Sequence, residues 1–506
     1  MNLCLNVTLF WFALSAVQGA VDSQPKIVIT HVSVVDVRAG AIKKDMTVLI
    51  VGGRISAVRP AKGKERPPTK EMEVIDGRGK YLIPGLWDMH AHSDGDDRVL
   101  RLFIAYGITG IRDMAGDAAK LADARRRIMS GKLTGPRLVF SGPMLEGPPS
   151  QADDWTWIIH SPDEARHAVD RLVELGVDFV KVHDGLSRES YLAVAATSKE
   201  KGVSFVGHVP ASMTPAEASD LGQKSIEHLE FVPNSCHALF DSVAGSATPN
   251  LPSGCDQQSL DDLLRRFARN GTWLDPTIQS FRYWAPTQWN AIFLGFRQLV
   301  PSIRQNHVSI LAGTDSSGVL EEKGDPPGSS LHDELGLLVD AGFTPSEALR
   351  AATLNPGLFL GLSDSQGTIE AGKVANLVLL EANPLQDIRN TGRIVAVISE
   401  GRYLNREMLE RLRRENCRNC SAGSAFVPKK AEPPALLFTF WRLAALSALP
   451  GEPSPLVEGR PASIQDTDGN SARSSDCSAT LPRHLHHQFE LLASRKIQVR
   501  WPCLRP

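Results

Sequence analysis

The sequence predicts an α/β fold: a (β/α)8 TIM barrel over residues 84–358, with a small β-sandwich domain built from both flanking segments, 26–83 and 359–410. Three observations predict it. Short apolar, strand-like runs alternate with amphipathic helical segments through the middle of the chain. Texture rich in strands alone stands on both sides of that region. Histidines, a lysine and aspartates close several central strand candidates, at the end where barrel enzymes carry their chemistry.

The amino-terminal flank reads as short strands and turns. Residues 27–30, 47–50 and 55–58 are β-type runs, with Gly52-Gly53 as a turn between the last two. The same reading returns at 375–380 and 394–398. Between the flanks, strand candidates end near His92, Asp113, Ser141, His183, His208, His228, Asp275 and Asp315. Helical segments follow most of them, at 162–176, 189–202, 259–270 and 331–342. The run Asp261-Asp262-Leu263-Leu264-Arg265-Arg266-Phe267 shows the i, i+3, i+4 apolar pattern. About eight such units fit a barrel, which usually takes ~250 residues. A doubly wound open sheet would carry G-x-G-x-x-G after its first strand, and none is there.

Two terminal segments stand apart. The apolar run 3–17 followed by Val17-Gln18-Gly19 reads as a signal peptide over 1–19, cleaved near Gly19, although no Lys or Arg precedes it. It is shorter than the ~20 residues a membrane span needs, so a secreted or periplasmic protein without a stable span is expected. Residues 414–506 are rich in Pro, Ser and Arg and lose periodicity, which predicts a disordered tail in which His484, His486 and His487 form a solvated cluster.

Composition narrows the partners. A net charge of -2 and the lack of a long basic block exclude nucleic acid, leaving a small-molecule substrate and, undecided, a homo-oligomer. Seven cysteines do not make a disulfide scaffold at this length. Cys236 and Cys255 lie close enough in sequence to pair, and Cys417-x-x-Cys420 is a weak zinc signal without a second half.

The chemistry rests on His90, His92, Lys181, His208, His228 and Asp315. His90 and His92 share one face of a strand, because side chains alternate with period two. Each of the others closes its own strand candidate. Singly, each has a structural explanation; six in the right parity and order point to a metal-dependent hydrolytic site. Lys181 needs separate treatment, because an ammonium has only donors and cannot ligate a cation. Burial beside divalent metals would lower its pKa from ~10.4. A neutral amine can then take up carbon dioxide as a carbamate, whose two oxygens could bridge two metals. The alternative is a plain lysine paired with Asp113 or Asp184.

Several motifs carry a resemblance. They are Ile83-Pro84-Gly85-Leu86-Trp87-Asp88-Met89-His90-Ala91-His92, Gly110-Ile111-Arg112-Asp113, Val180-Lys181-Val182, Gly207-His208-Val209, Glu227-His228 and Ala312-Gly313-Thr314-Asp315. The stretches 331–335, 348–356 and 367–378 follow them. From about residue 27 to 403 the sequence resembles the amidohydrolase superfamily, near its imidazolonepropionase-like and Xaa-Pro-dipeptidase-like branch. It departs at Asn376, where relatives often have Asp.

The resemblance implies a binuclear site. His90, His92 and Asp315 would hold one metal, His208 and His228 a second, and carboxylated Lys181 would bridge them. Two divalent ions, zinc first and manganese, cobalt or iron after it, would activate a bridging hydroxide against a cyclic amide or dipeptide-type carbon–nitrogen bond. Asp315 would shuttle the proton to the leaving amine. Lactone or phosphotriester hydrolysis at the same site is the alternative reaction, and a non-catalytic binding protein the alternative class. Around the site, His183 and His332 are candidate substrate contacts. Asp113 is expected to form an ion pair with Arg112. The segment 145–160, with Trp155-Thr156-Trp157, is placed to be a lid.

Overall fold

The computed structural model describes residues 26–61, 72–232, 256–317 and 327–417. The leader, Cys236, Cys255 and the tail beyond 417 lie outside them.

Both flanks enter one hydrogen-bonded sheet. Its strands are β1 (Lys26–Asp36), β2 (Ala41–Val51), β3 (Arg54–Pro60), β4 (Met72–Asp76) and β5 (Tyr81–Pro84) from the amino-terminal side. The middle of the chain contributes β6 (Leu86–His92), β7 (Ile108–Asp113), β8 (Arg137–Phe140), β9 (Met144–Glu146), β10 (Thr156–Ile158), β11 (Phe179–Val182), β12 (Ser204–Gly207), β13 (Ser225–Glu227), β14 (Trp273–Asp275) and β15 (Ser316–Ser317) to other sheets. The carboxyl side returns β16 (Leu377–Leu380), β17 (Ile394–Ser399) and β18 (Arg402–Asn405) to the first sheet, in the order β18-β17-β16-β5-β1-β2-β3 with β4 on β1.

Period-two alternation explains why β16 is apolar throughout. Leu377 and Leu379 join a small core with Ile27, Ile29 and Val48, while Val378 and Leu380 face the large core formed with the helical region. At β16 both faces of the sheet are therefore buried.

The central strands form two parallel sheets, β15-β6-β7-β8 and β10-β9-β11-β12-β13-β14. Backbone bonds join their edges. Asp178 donates to the Phe140 carbonyl at 2.9 Å. On the other side Leu311 donates to Leu274 at 2.8 Å and Met89 to Ala312 at 3.0 Å. The strand expected to end near Asp315 is thinner than its apolar run suggests: Ile310 makes only an isolated bridge to Leu274. Asp315 then turns to φ 56°, which ends the extended run.

Helices fall where the periodicity places them: Pro162–Glu174, Arg188–Lys201, Gln257–Asn270 and Ser329–Ala341. Ser161, Ser187 and Asp256 cap the first three by accepting backbone N–H groups. The third buries Leu260, Leu263, Leu264 and Phe267, the stripe seen in the sequence. Among the described residues no helix is long and apolar enough to cross a membrane.

Candidate metal centre

The ends of these parallel strands bring the imidazoles together. His90 and His92 leave β6 on one face, with ring centroids 5.4 Å apart. His228, just past β13, stands 4.9 Å from His90, and His208, just past β12, stands 4.8 Å from His228. Asp315 closes the group: its Oδ1 lies 3.0 Å from His92 Nε2 and 3.5 Å from His90 Nε2. Ligand atoms of His90, His92 and Asp315 all fall within 4.8 Å of one another.

Each imidazole is oriented through its other nitrogen. His90 Nδ1 faces Glu227 Oε2 at 3.1 Å, and His228 Nδ1 faces Thr277 Oγ1 at 2.6 Å. His208 Nδ1 meets Asp184 at 2.8 Å and Glu230 at 2.9 Å. His92 Nδ1 lies 3.5 Å from the Ala115 carbonyl. With Nδ1 engaged, Nε2 is the nitrogen free to ligate, which is the arrangement metal-binding histidines adopt.

Lys181 on β11 is 2% exposed and makes no hydrogen bond or close ion pair among the described residues. Burial lowers its pKa, and the carboxylates of Glu227, Asp315 and Glu230 only partly oppose this. The alternative pairings with Asp113 or Asp184 do not occur among the described residues. Gly207 allows the lysine its place: a Cβ there would stand 2.2 Å from the Val182 carbonyl and 2.9 Å from Lys181 Cδ. At Gly313 a Cβ would come within 2.5 Å of His90 Cβ. Both small residues sit where another strand crosses close behind the site.

The remaining electrostatics differ from one imidazole to the next. Burial, reinforced by neighbouring cations, drives His90 and His228 well below the usual imidazole range, so both stay neutral. Burial also pulls His208 down, but Glu230 and Asp184 overcome it and carry the group up to about 9. Burial opposes ionisation of Asp315, yet the hydrogen bond with His92 and the electrostatics of the surrounding imidazoles and Lys181 bring it down to about 2. Asp88 lies beneath the pair, bound to Thr314 Oγ1 at 2.7 Å and to the His90 N–H at 3.2 Å; burial lifts it to about 7. The site is also strained. His228, Thr277 and Asp315 have φ of 56°, 43° and 56°, a region side chains with a Cβ avoid and β-branched threonine avoids most.

Below the imidazoles lies a buried charged layer. Arg112 donates to Glu227 at 2.8 Å, Asp275 at 3.1 Å, Ser225 Oγ at 2.8 Å and the Met89 carbonyl. His90, Glu227 and Asp275 are also close enough to ligate a cation. The guanidinium already serves as that cation. The expected Arg112–Asp113 ion pair does not form. Adjacent residues on a strand point to opposite sides, so Asp113 turns away and accepts from the Ser93 N–H and hydroxyl, at 2.7 and 2.6 Å.

The two candidate substrate contacts part company. His183 stacks on His208 at 4.0 Å and is held by Glu146, with Asp184 only at 4.0 Å. His332 lies away from the group: its ring nitrogens reach Thr391 Oγ1 and the Tyr106 carbonyl, both at 3.0 Å, and burial lowers it to about 4. The sequence reading missed Glu146, Glu230, Thr277 and Trp284, and it offered Asp184 to Lys181 rather than to His208. None shows a spacing signal, because each acts through a fold neighbour. Cys417 is disulfide-bonded, so its sulfur is no thiolate for zinc.

Residues 81–404 match the Amidohydrolase family, well over half of the chain. An ochratoxinase from Aspergillus niger is 23% identical over 372 residues, covering 62% of this chain and 72% of that protein. Adenine deaminase 2 from Bradyrhizobium sp. (strain ORS 278) is 26% identical over 379 residues, 71% of this chain but only 55% of the deaminase. Among solved structures, a putative prolidase from Bifidobacterium longum has TM-score 0.60 and 26% identity over 77% of this chain and 98% of its own. A Xaa-Pro dipeptidase with bound methionine has TM-score 0.60 and 22% identity over 75% of this chain and 100% of its own, a likeness of fold. With six site residues gathered at the ends of parallel strands and this match, the chain belongs to the amidohydrolase family and is a hydrolase acting on carbon–nitrogen bonds.

Proposed function

We propose that this enzyme hydrolyses an amide-type carbon–nitrogen bond of a small molecule at a binuclear metal centre. One observation carries the reading: four imidazoles held at Nδ1, beside an ionised Asp315 and a buried, unbonded Lys181. His90, His92 and Asp315 would hold one divalent cation, His208 and His228 a second, and Lys181 as its carbamate would bridge them. Bound there, two such cations, zinc being expected, would polarise a carbonyl and lower the pKa of water. Asp315 stays ionised at neutral pH, so it can accept the proton of the attacking water and return it to the leaving nitrogen. For the carbamate, the Lys181 ammonium would first lose a proton, and the resulting amine would bond to the carbon of carbon dioxide and release one N–H proton to solvent.

The same reading closes the two parallel sheets into a (β/α)8 barrel through the edge hydrogen bonds, with the flanking strands as the small β-sandwich. It places the chain in a secreted or periplasmic setting, which the Cys417 disulfide supports.

Metal analysis of the purified protein, with an activity screen over X-Pro and other dipeptides, hydantoin-like rings, lactones and phosphotriesters, tests it. Two metals per chain and turnover confined to the amides are expected. Turnover confined to esters, or full activity after chelation, would overturn the proposal. An unmodified Lys181 in an active, metal-loaded enzyme would remove the carbamate.

A further inference from the structure

We propose that the mouth of this site is an aromatic recess that selects amides carrying a flat aromatic ring next to the scissile bond. The inference rests on the metal-centre reading above and names its substrate class. Three aromatic side chains touch three of the site residues. The Trp155 indole stacks nearly parallel on His92, centroids 5.5 Å apart at 10°. Trp284 donates its indole N–H to Asp315 Oδ2 at 3.1 Å. Phe281 presents to His228 edge-on, 6.4 Å away at 83°.

These rings come from two distant stretches of sequence. Trp155 lies between β9 and β10, while Phe281 and Trp284 follow β14. Trp284 remains 55% exposed although it is bonded to the partly buried Asp315 carboxylate. The exposed part of such an indole, beside reactive groups, is apolar surface that a ligand can cover. Offset-stacked and edge-to-face contacts favour a planar ring over a saturated one of equal size.

Charge around the mouth argues against a free carboxylate as the main handle. Lys120 lies between Asp94 at 3.3 Å and Asp154 at 3.7 Å, which are two residues from His92 and one from Trp155. Arg282 packs over the Trp289 ring at 4.9 Å. Among the described residues these cations are already engaged, so the rim offers rings rather than an unpaired positive charge.

The test uses a matched pair of metal-chelating probes, benzohydroxamate and cyclohexanecarbohydroxamate, which have equal numbers of heavy atoms. Their affinities for the zinc-loaded protein are read by calorimetry and tryptophan fluorescence, each referenced to the same compound's affinity for aqueous zinc. The aromatic probe is expected to bind roughly three- to tenfold tighter, the range of one or two aromatic contacts. In Trp155→Leu and Trp284→Leu proteins that ratio should shrink, approaching one in the double variant. Equal affinities in the unmodified protein overturn the recess while leaving the metal centre standing, as does a preference untouched by both substitutions. Failure of both probes to bind the zinc-loaded protein overturns the metal centre and the recess with it. The ratio in the unmodified protein decides by itself if a variant does not fold.

Discussion

Arg112 donates to Glu227 at 2.8 Å with both side chains wholly withdrawn from water. The same carboxylate oxygen faces His90 Nδ1 at 3.1 Å. One contact thus links the charged interior of the central strands to the orientation of an imidazole in the site. Arg112→Met would leave Glu227 as a buried charge without its partner. Loss of roughly 3–5 kcal/mol is expected, with part recovered by adding Glu227→Gln, both measured by denaturant unfolding. Unchanged stability in the single variant would mean the pair is relieved by water.

Thr277 holds His228 through a 2.6 Å contact while keeping φ at 43°. Thr277→Val preserves the branched shape and removes the hydroxyl. Metal affinity should fall by roughly 10–100-fold, read by competition with a chelator, while Thr277→Ser stays near the parent. Equal affinity in the valine protein would deny the hydroxyl any orienting role.

Asp315 is placed both to ligate and to move a proton. Asp315→Asn keeps an oxygen ligand but loses the base. We expect most of the metal to remain, by elemental analysis, with kcat lower by roughly 10²- to 10⁴-fold. Near-parental turnover would take Asp315 out of proton transfer.

Glu334 gives a pH signature independent of the metals. It accepts the N–H groups of Ile278 and Gln279 at 3.1 and 2.6 Å, and burial raises its pKa to about 8 from 4.5. The folded chain therefore keeps a proton that the unfolded chain releases between those values. Stability should fall as pH rises from 4.5 to 8, because the folded state binds more protons. Glu334→Gln should flatten that slope in unfolding measurements. The same slope in both proteins would assign it to other groups.

The sequence by itself determined the strand–helix rhythm, the return of both flanks to strands, and five strand-end positions of imidazole and amine. Periodicity and parity are local properties, so His90 with His92, and Lys181 on its strand, are legible without a fold. Asp315 was legible from its motif, although its strand is barely a strand. The partners were not. Glu227, Glu230, Asp184 and Thr277 orient imidazoles from other strands and loops, and nothing in their spacing announces it. Arg112 pairs across the interior rather than with its neighbour Asp113, and His332 folds toward Thr391. Only tertiary structure decides such contacts, because they depend on which strand ends converge, and convergence is set by packing over the whole chain. Sequence placed the candidate ligands; the fold decided which nitrogen of each was left to bind.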